Sequence, residues 1–238
     1  MAQNNETSRK REKAEERIRS LGKCSIGEIV KNNLDVKEVN PFDKALSYLH
    51  SQGYRVASAE EVASARMELR NRDIYGGGFL KEAVIYVPLK NEIILTRNSP
   101  IIAFAERAVS LERQGKGFYL TEAELEPFLE GSVNCSLENI AESVWGVLEG
   151  LHSVPTNNLE NEPITSFLLG KKAKQYGEFL KSEFGLDYLY LNAFKMAERS
   201  SIEMWDVHQV SFDFASRGGF DFGCRASLHY DSLILGIK

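Results

Sequence analysis

Residues 220–230 alternate without a break. Phe220, Phe222, Cys224, Ala226, Leu228 and Tyr230 are apolar, while Asp221, Gly223, Arg225, Ser227 and His229 between them are polar or small. Successive strand side chains point to opposite faces, so a period of two specifies a strand with one buried face. The preceding run carries Met204, Val210, Phe212 and Phe214 on its own even positions. Pairing Phe214 with Phe220 across the loop 215–219 puts both apolar faces on one side, and a slip of one residue would turn one of them to water. A turn at Asp231-Ser232 lets Leu233, Leu235 and Ile237 join that face. The C-terminus is therefore expected to form a three-stranded antiparallel meander.

The segments ahead of it read mostly as helices, which makes the chain α+β: a helical N-terminal and middle region with a β-hairpin, then a meander packed on helices. Ser25 with Glu28 forms a capping box before Ile26, Ile29 and Val30. Asn40-Pro41 opens a helix with Phe42, Ala45, Leu46 and Leu49 on one face, closed by Gly53. Ser58 with Glu61 opens another, with Val62, Ala65 and Leu69 inward. In each box the first side chain accepts from the third helical amide, and the acid accepts from the cap's own amide. Val84–Val87 and Ile93–Leu95, separated by a turn at Leu89-Lys90-Asn91, read as a β-hairpin, with Pro88 at the strand end where no ladder bond is lost. Phe104, Ala108 and Leu111 suggest a helix ended by Gly115. Thr121 with Glu124 is a third capping box, shortened by Pro127. A helix from Ser136 carries Leu137, Ile140, Ala141, Val144, Val147, Leu148 and Leu151. Another, capped by Thr165, carries Leu169, Ala173, Tyr176, Leu180 and Phe184, whereas Asp187–Arg199 fits strand or helix.

These elements group into a charged lead segment (1–23), a region of helices plus hairpin (24–152), a polar stretch read as a linker (153–163) and a helix with the meander (164–238). The lead segment mixes Arg9, Lys10, Arg11 and Lys13 with Glu12, Glu15 and Glu16, which suits a solvated helix or a basic arm. With a net charge of −5, no global positive field draws in nucleic acid or anionic lipid. Apolar runs fall far short of the ~20 residues that span a bilayer, so a soluble, cytoplasmic protein without membrane association is expected. Cys24, Cys135 and Cys224 are odd in number and widely spaced, which fits free thiols, and no cofactor or metal motif is present.

Two sets of residues carry candidate chemistry. Asp206 and His208 share one face of the expected strand, and a carboxylate beside an imidazole sets up a general base. Two strand residues span roughly 6.6 Å, so contact requires the side chains to lean together. The other set follows from element order. Three short helices and a hairpin are the succession of a winged helix-turn-helix, in which the helix after Ser58 enters the major groove and the hairpin is the wing. Arg66, Arg70 and Arg72 would then contact phosphates or bases, against the opposing charge of Glu60, Glu61 and Glu68. The sequence thus points to a non-catalytic binding or regulatory protein acting on nucleic acid or another protein. A hydrolase or nuclease using Asp206 and His208 is the alternative, and a structural component of a larger assembly is a third. Oligomeric state leaves no mark in the sequence.

Overall fold

A computed structural model of the chain describes residues 23–31, 41–70, 77–140, 152–192, 194–195, 203–215, 219–225, 228 and 233–238. The calls that rest on 1–22, on 141–151 and on Arg72 lie outside these residues.

The larger of two sheets is built on β4 (Phe79–Tyr86) and β5 (Glu92–Thr96), the expected hairpin. Its strand order is β7-β5-β4-β10-β11-β9-β8, with β6 (Tyr119–Leu120) also pairing β10. Here β7 is Val133–Ser136, β8 His152–Pro155, β9 Tyr188–Asn192, β10 Trp205–Ala215 and β11 Gly219–Arg225. All pairings are antiparallel except β11 with β9. β10 and β11 take the register read from their alternation, Phe214 opposite Phe220 and Asp213 opposite Asp221. Buried Phe212 and Phe222, also directly opposite, stack with centroids 4.0 Å apart.

The third strand of the meander goes elsewhere. β12 (Leu235–Ile237) lies between β2 (Gly27–Lys31) and β3 (Arg55–Val56) in a second sheet of order β1-β2-β12-β3, where β1 is Lys23–Cys24. This overturns two expectations at once. Residues 25–30 are a turn and a strand, not a capped helix, because Ile29 and Val30 find a partner in the C-terminal strand and are fully buried there. The residues of the supposed capping box serve other ends: Ser25 bonds Glu68 through its amide (2.6 Å) and hydroxyl (2.7 Å), and Glu28 accepts from the Tyr54 hydroxyl at 2.6 Å.

Helices cover both faces of the large sheet. α1 (Phe42–Ser51) sets Phe42 edge-on against Phe79 of β4. α2 (Ala59–Leu69) starts at the expected box, with both reciprocal bonds of Ser58 and Glu61 present. α3 (Pro100–Ala103) and α4 (Ala105–Arg113) follow the hairpin. α5 (Glu122–Leu125) opens with the Thr121–Glu124 box, and Pro127 turns the chain into a 3-10 turn at once. Ser136 ends β7, and the described residues up to Ile140 form a turn where a helix start was expected. Residues 153–163 contain most of β8 and a 3-10 turn with buried Thr156. α6 (Pro163–Leu169) is capped by Glu162, whose carboxylate accepts from the Thr165 amide, so Thr165 is inside the helix. At Gly170 the chain turns, and α7 (Ala173–Phe184) carries Tyr176 and Leu180 inward. β4 and β10, from opposite sides of the 153–163 stretch, hydrogen-bond along their length in one sheet. No helix among the described residues is long and apolar enough to cross a membrane.

Candidate functional site

Asp206 and His208 do meet. The alternation of β10 puts them on one face, and His208 Nε2 lies 3.2 Å from an Asp206 carboxylate oxygen. The lean that the strand spacing demanded therefore occurs. Tyr86 from the neighbouring strand sits edge-on to the imidazole, centroids 5.2 Å apart. The pair is closed off, with Asp206 1% and His208 3% exposed. His208 Nδ1 is buried and has no hydrogen-bond partner among the described residues. A carboxylate that orients an imidazole is half of a general base, but catalysis also needs a reacting group within hydrogen-bond reach. At this depth the pair reads more simply as a core contact.

The three arginines separate. Arg66 is fully buried on the inner side of α2. It donates to the Tyr176 hydroxyl at 3.2 Å and to the Phe212 carbonyl at 3.1 Å, and its guanidinium lies 3.9 Å from the centre of the Phe212 ring. That side chain faces the sheet, so it has no reach to a phosphate. Arg70, in left-handed conformation at the end of α2, is exposed and pairs with Glu183 of α7 at 3.1 Å. The hairpin is no wing either: β4 and β5 are flanked by β10 and β7. These positions correct the winged-helix arrangement, because both of its recognition elements are used in the core.

A second polar cluster lies where α2 meets β4. Glu82 is fully buried and accepts from the Ala59 amide, at the first turn of α2, at 3.1 and 3.3 Å. Arg97 is 3.8 Å from it and stacks over the Phe167 ring at 4.0 Å. Burial raises the Glu82 carboxyl from 4.5 to about 7, against the opposing pull of backbone amides and Arg97. Burial, and behind it Glu162, also pushes the Cys135 thiol up to about 11, which makes it a poor nucleophile. Among the described residues no three His, Cys, Asp or Glu side chains gather in a way that holds a metal.

The opening that the sequence did not mark lies at the other end of the sheet. A cleft of about 650 Å³ is lined by Pro155, Thr156 and Asn157, by Gly177, Glu178, Lys181 and Ser182 of α7, and by Asp187 and Tyr188. Gly177 makes it possible: a Cβ there would fall on the Thr156 carbonyl oxygen, so only glycine lets the β8 turn close on α7. Thr156 then ties down the far wall, donating from its amide to the Asp187 carbonyl at 2.9 Å and from its hydroxyl to the Leu186 carbonyl at 3.3 Å. Lys181 bonds Asp187 across the cleft. The available signal was a lone glycine inside an amphipathic helix.

No family model matches the chain, and no curated protein does. One solved structure is similar in fold, from work entitled "Accommodation of massive sequence variation in Nanoarchaeota by the C-type lectin fold". The two superpose with a TM-score of 0.60 at 10% sequence identity, over 86% of this chain and 100% of that one. At this identity the likeness concerns the fold alone: a mixed α+β chain whose curled sheet is similar to that of a C-type lectin fold.

Proposed function

We propose that this chain is a non-catalytic binding protein, with the cleft between α7 and the ends of β8 and β9 as its recognition site. The observation that carries the reading is the contrast between two sets of polar side chains. Asp206 and His208 are spent inside the core, whereas Asn157, Glu178, Ser182 and Tyr188 are exposed around a concavity of ligand size. The scaffold supports the same reading. The similar structure is described as a fold that accommodates massive sequence variation, and a core indifferent to its surface suits a protein whose work is recognition. The test is to titrate immobilised protein against arrays of peptides, glycans and random double-stranded DNA at low and moderate salt. Saturable binding abolished by filling the cleft with Ser182→Trp supports the proposal. Binding unaffected by that change, or none to any class, overturns it. DNA binding that falls steeply with salt would instead revive a nucleic-acid role.

A second reading, a hydrolase or nuclease, rests on the 3.2 Å contact of His208 with Asp206. It requires turnover of an ester or phosphodiester that disappears in His208→Gln while the fold is kept. Absence of turnover in the unaltered protein removes it.

A further inference from the structure

The chemistry of the cleft is specific enough to name a ligand class; this step rests on the cleft being a binding site. Its charged groups are two carboxylates, Glu178 and Asp187, and one ammonium, Lys181, which is already committed to Asp187. The surplus is therefore one negative charge, placed on Glu178 on the exposed side of α7. Tyr188, 46% exposed, lines the same cleft from β9, where it is the cross-strand partner of Pro155. An aromatic face attracts a cation through its quadrupole, and the attraction adds to that of a carboxylate on the other side. The floor, where Gly177 meets the Thr156 backbone, takes no side chain from α7 at that position, and a Leu159 methyl group lies close to it. It fits an aliphatic stem, while Asn157 and Ser182 at the rim can bond neighbouring amides.

We propose that the cleft binds a cation carried on an apolar stem, a guanidinium or ammonium group such as an arginine or lysine side chain presents. Glu178 and the Tyr188 ring hold the cation between them, and Pro155 covers the stem. Lys181 and Asp187 frame the site as an exposed ion pair, which leaves Glu178 as the carboxylate open to the ligand. The same cation comes from two sources, a basic side chain of a peptide or a free alkyl amine.

The test is a backbone-amide NMR titration of the full chain with n-butylguanidinium, with its uncharged isostere n-butylurea, and with a blocked hexapeptide carrying one central arginine. The expected result is saturable shifts at Gly177, Lys181, Ser182 and Tyr188 with the guanidinium and the peptide, and none with the urea. Glu178→Gln and Tyr188→Ala, both at exposed positions, each weaken binding at least about fivefold while the remaining spectrum is unchanged. Tighter binding of the peptide identifies a peptide partner, and equal binding identifies a small amine. Equal binding of the urea, shifts that ignore both substitutions, or no shifts at these residues overturn the inference. Should a ligand from the arrays still bind in a Ser182-dependent way, the binding function stands and only the cation assignment falls.

Discussion

The side-chain amide of Gln209 donates to the main-chain oxygen of Glu82 at 2.9 Å. It also donates to the Leu80 oxygen, and its own carbonyl accepts from the Ser99 hydroxyl at 2.6 Å. The reason lies in the register. From Ala83 opposite Gln209 to Phe79 opposite Ser211, β4 advances four residues while β10 advances two. The extra residues leave carbonyls without a ladder partner, and a buried carbonyl without a partner is costly. Gln209 supplies the missing donors. Gln209→Leu, which strands three polar groups, lowers unfolding stability by about 3 kcal/mol in urea titrations.

Glu82 makes stability depend on pH. Its folded pKa of about 7 lies above the ordinary 4.5, so the folded state holds its proton more tightly than the unfolded chain. The resulting stabilisation is complete below about pH 4.5 and is lost as pH rises through 7, at a total of about 3 kcal/mol. Unfolding measured from pH 5 to 8 shows this decline, and Glu82→Gln, which carries no charge at any of these values, removes it.

Arg66 and Arg70 sit one helical turn apart yet differ in consequence. Arg66→Ala empties a fully buried site and leaves the Phe212 carbonyl without its donor, costing about 3–4 kcal/mol. Arg70→Ala removes one exposed ion pair and costs less than about 0.5 kcal/mol. Thermal denaturation of the two variants side by side measures the difference.

Gly177→Ala forces the Thr156 backbone away from α7. Overpacking of this kind costs about 1–3 kcal/mol. Because Thr156 also holds Asp187, the variant widens the cleft, and ligand affinity drops together with melting temperature.

Leu89 moves stability the other way. It is 62% exposed and sits at φ 57° in the hairpin turn, where Lys90 donates back to Val87 at 3.2 Å. Glycine occupies that conformation without a Cβ penalty, so Leu89→Gly gains about 0.5–1 kcal/mol in the same denaturation assay.

Local chemistry was legible from the sequence alone. The boxes at Ser58–Glu61 and Thr121–Glu124, the hairpin around Leu89-Lys90 and the pairing of Phe214 with Phe220 depend on residues a few positions apart, and their period or spacing encodes them. The same alternation placed Asp206 and His208 on one face. What the tertiary structure decided involves partners far apart in the chain. Val30 and Gly236 pair across some two hundred residues, and that choice turned an expected helix into a strand and took the last strand out of the meander. Arg66 stands four residues after Val62 and three before Leu69, on the inward face of α2, and only the arrival of Tyr176 and Phe212 makes that face a buried site able to hold a guanidinium. The cleft likewise exists because Gly177 lets the turn at Thr156 close on α7. Periodicity states which face of an element is apolar; which element covers that face is settled by the pairing that buries the most while leaving the fewest polar groups unsatisfied.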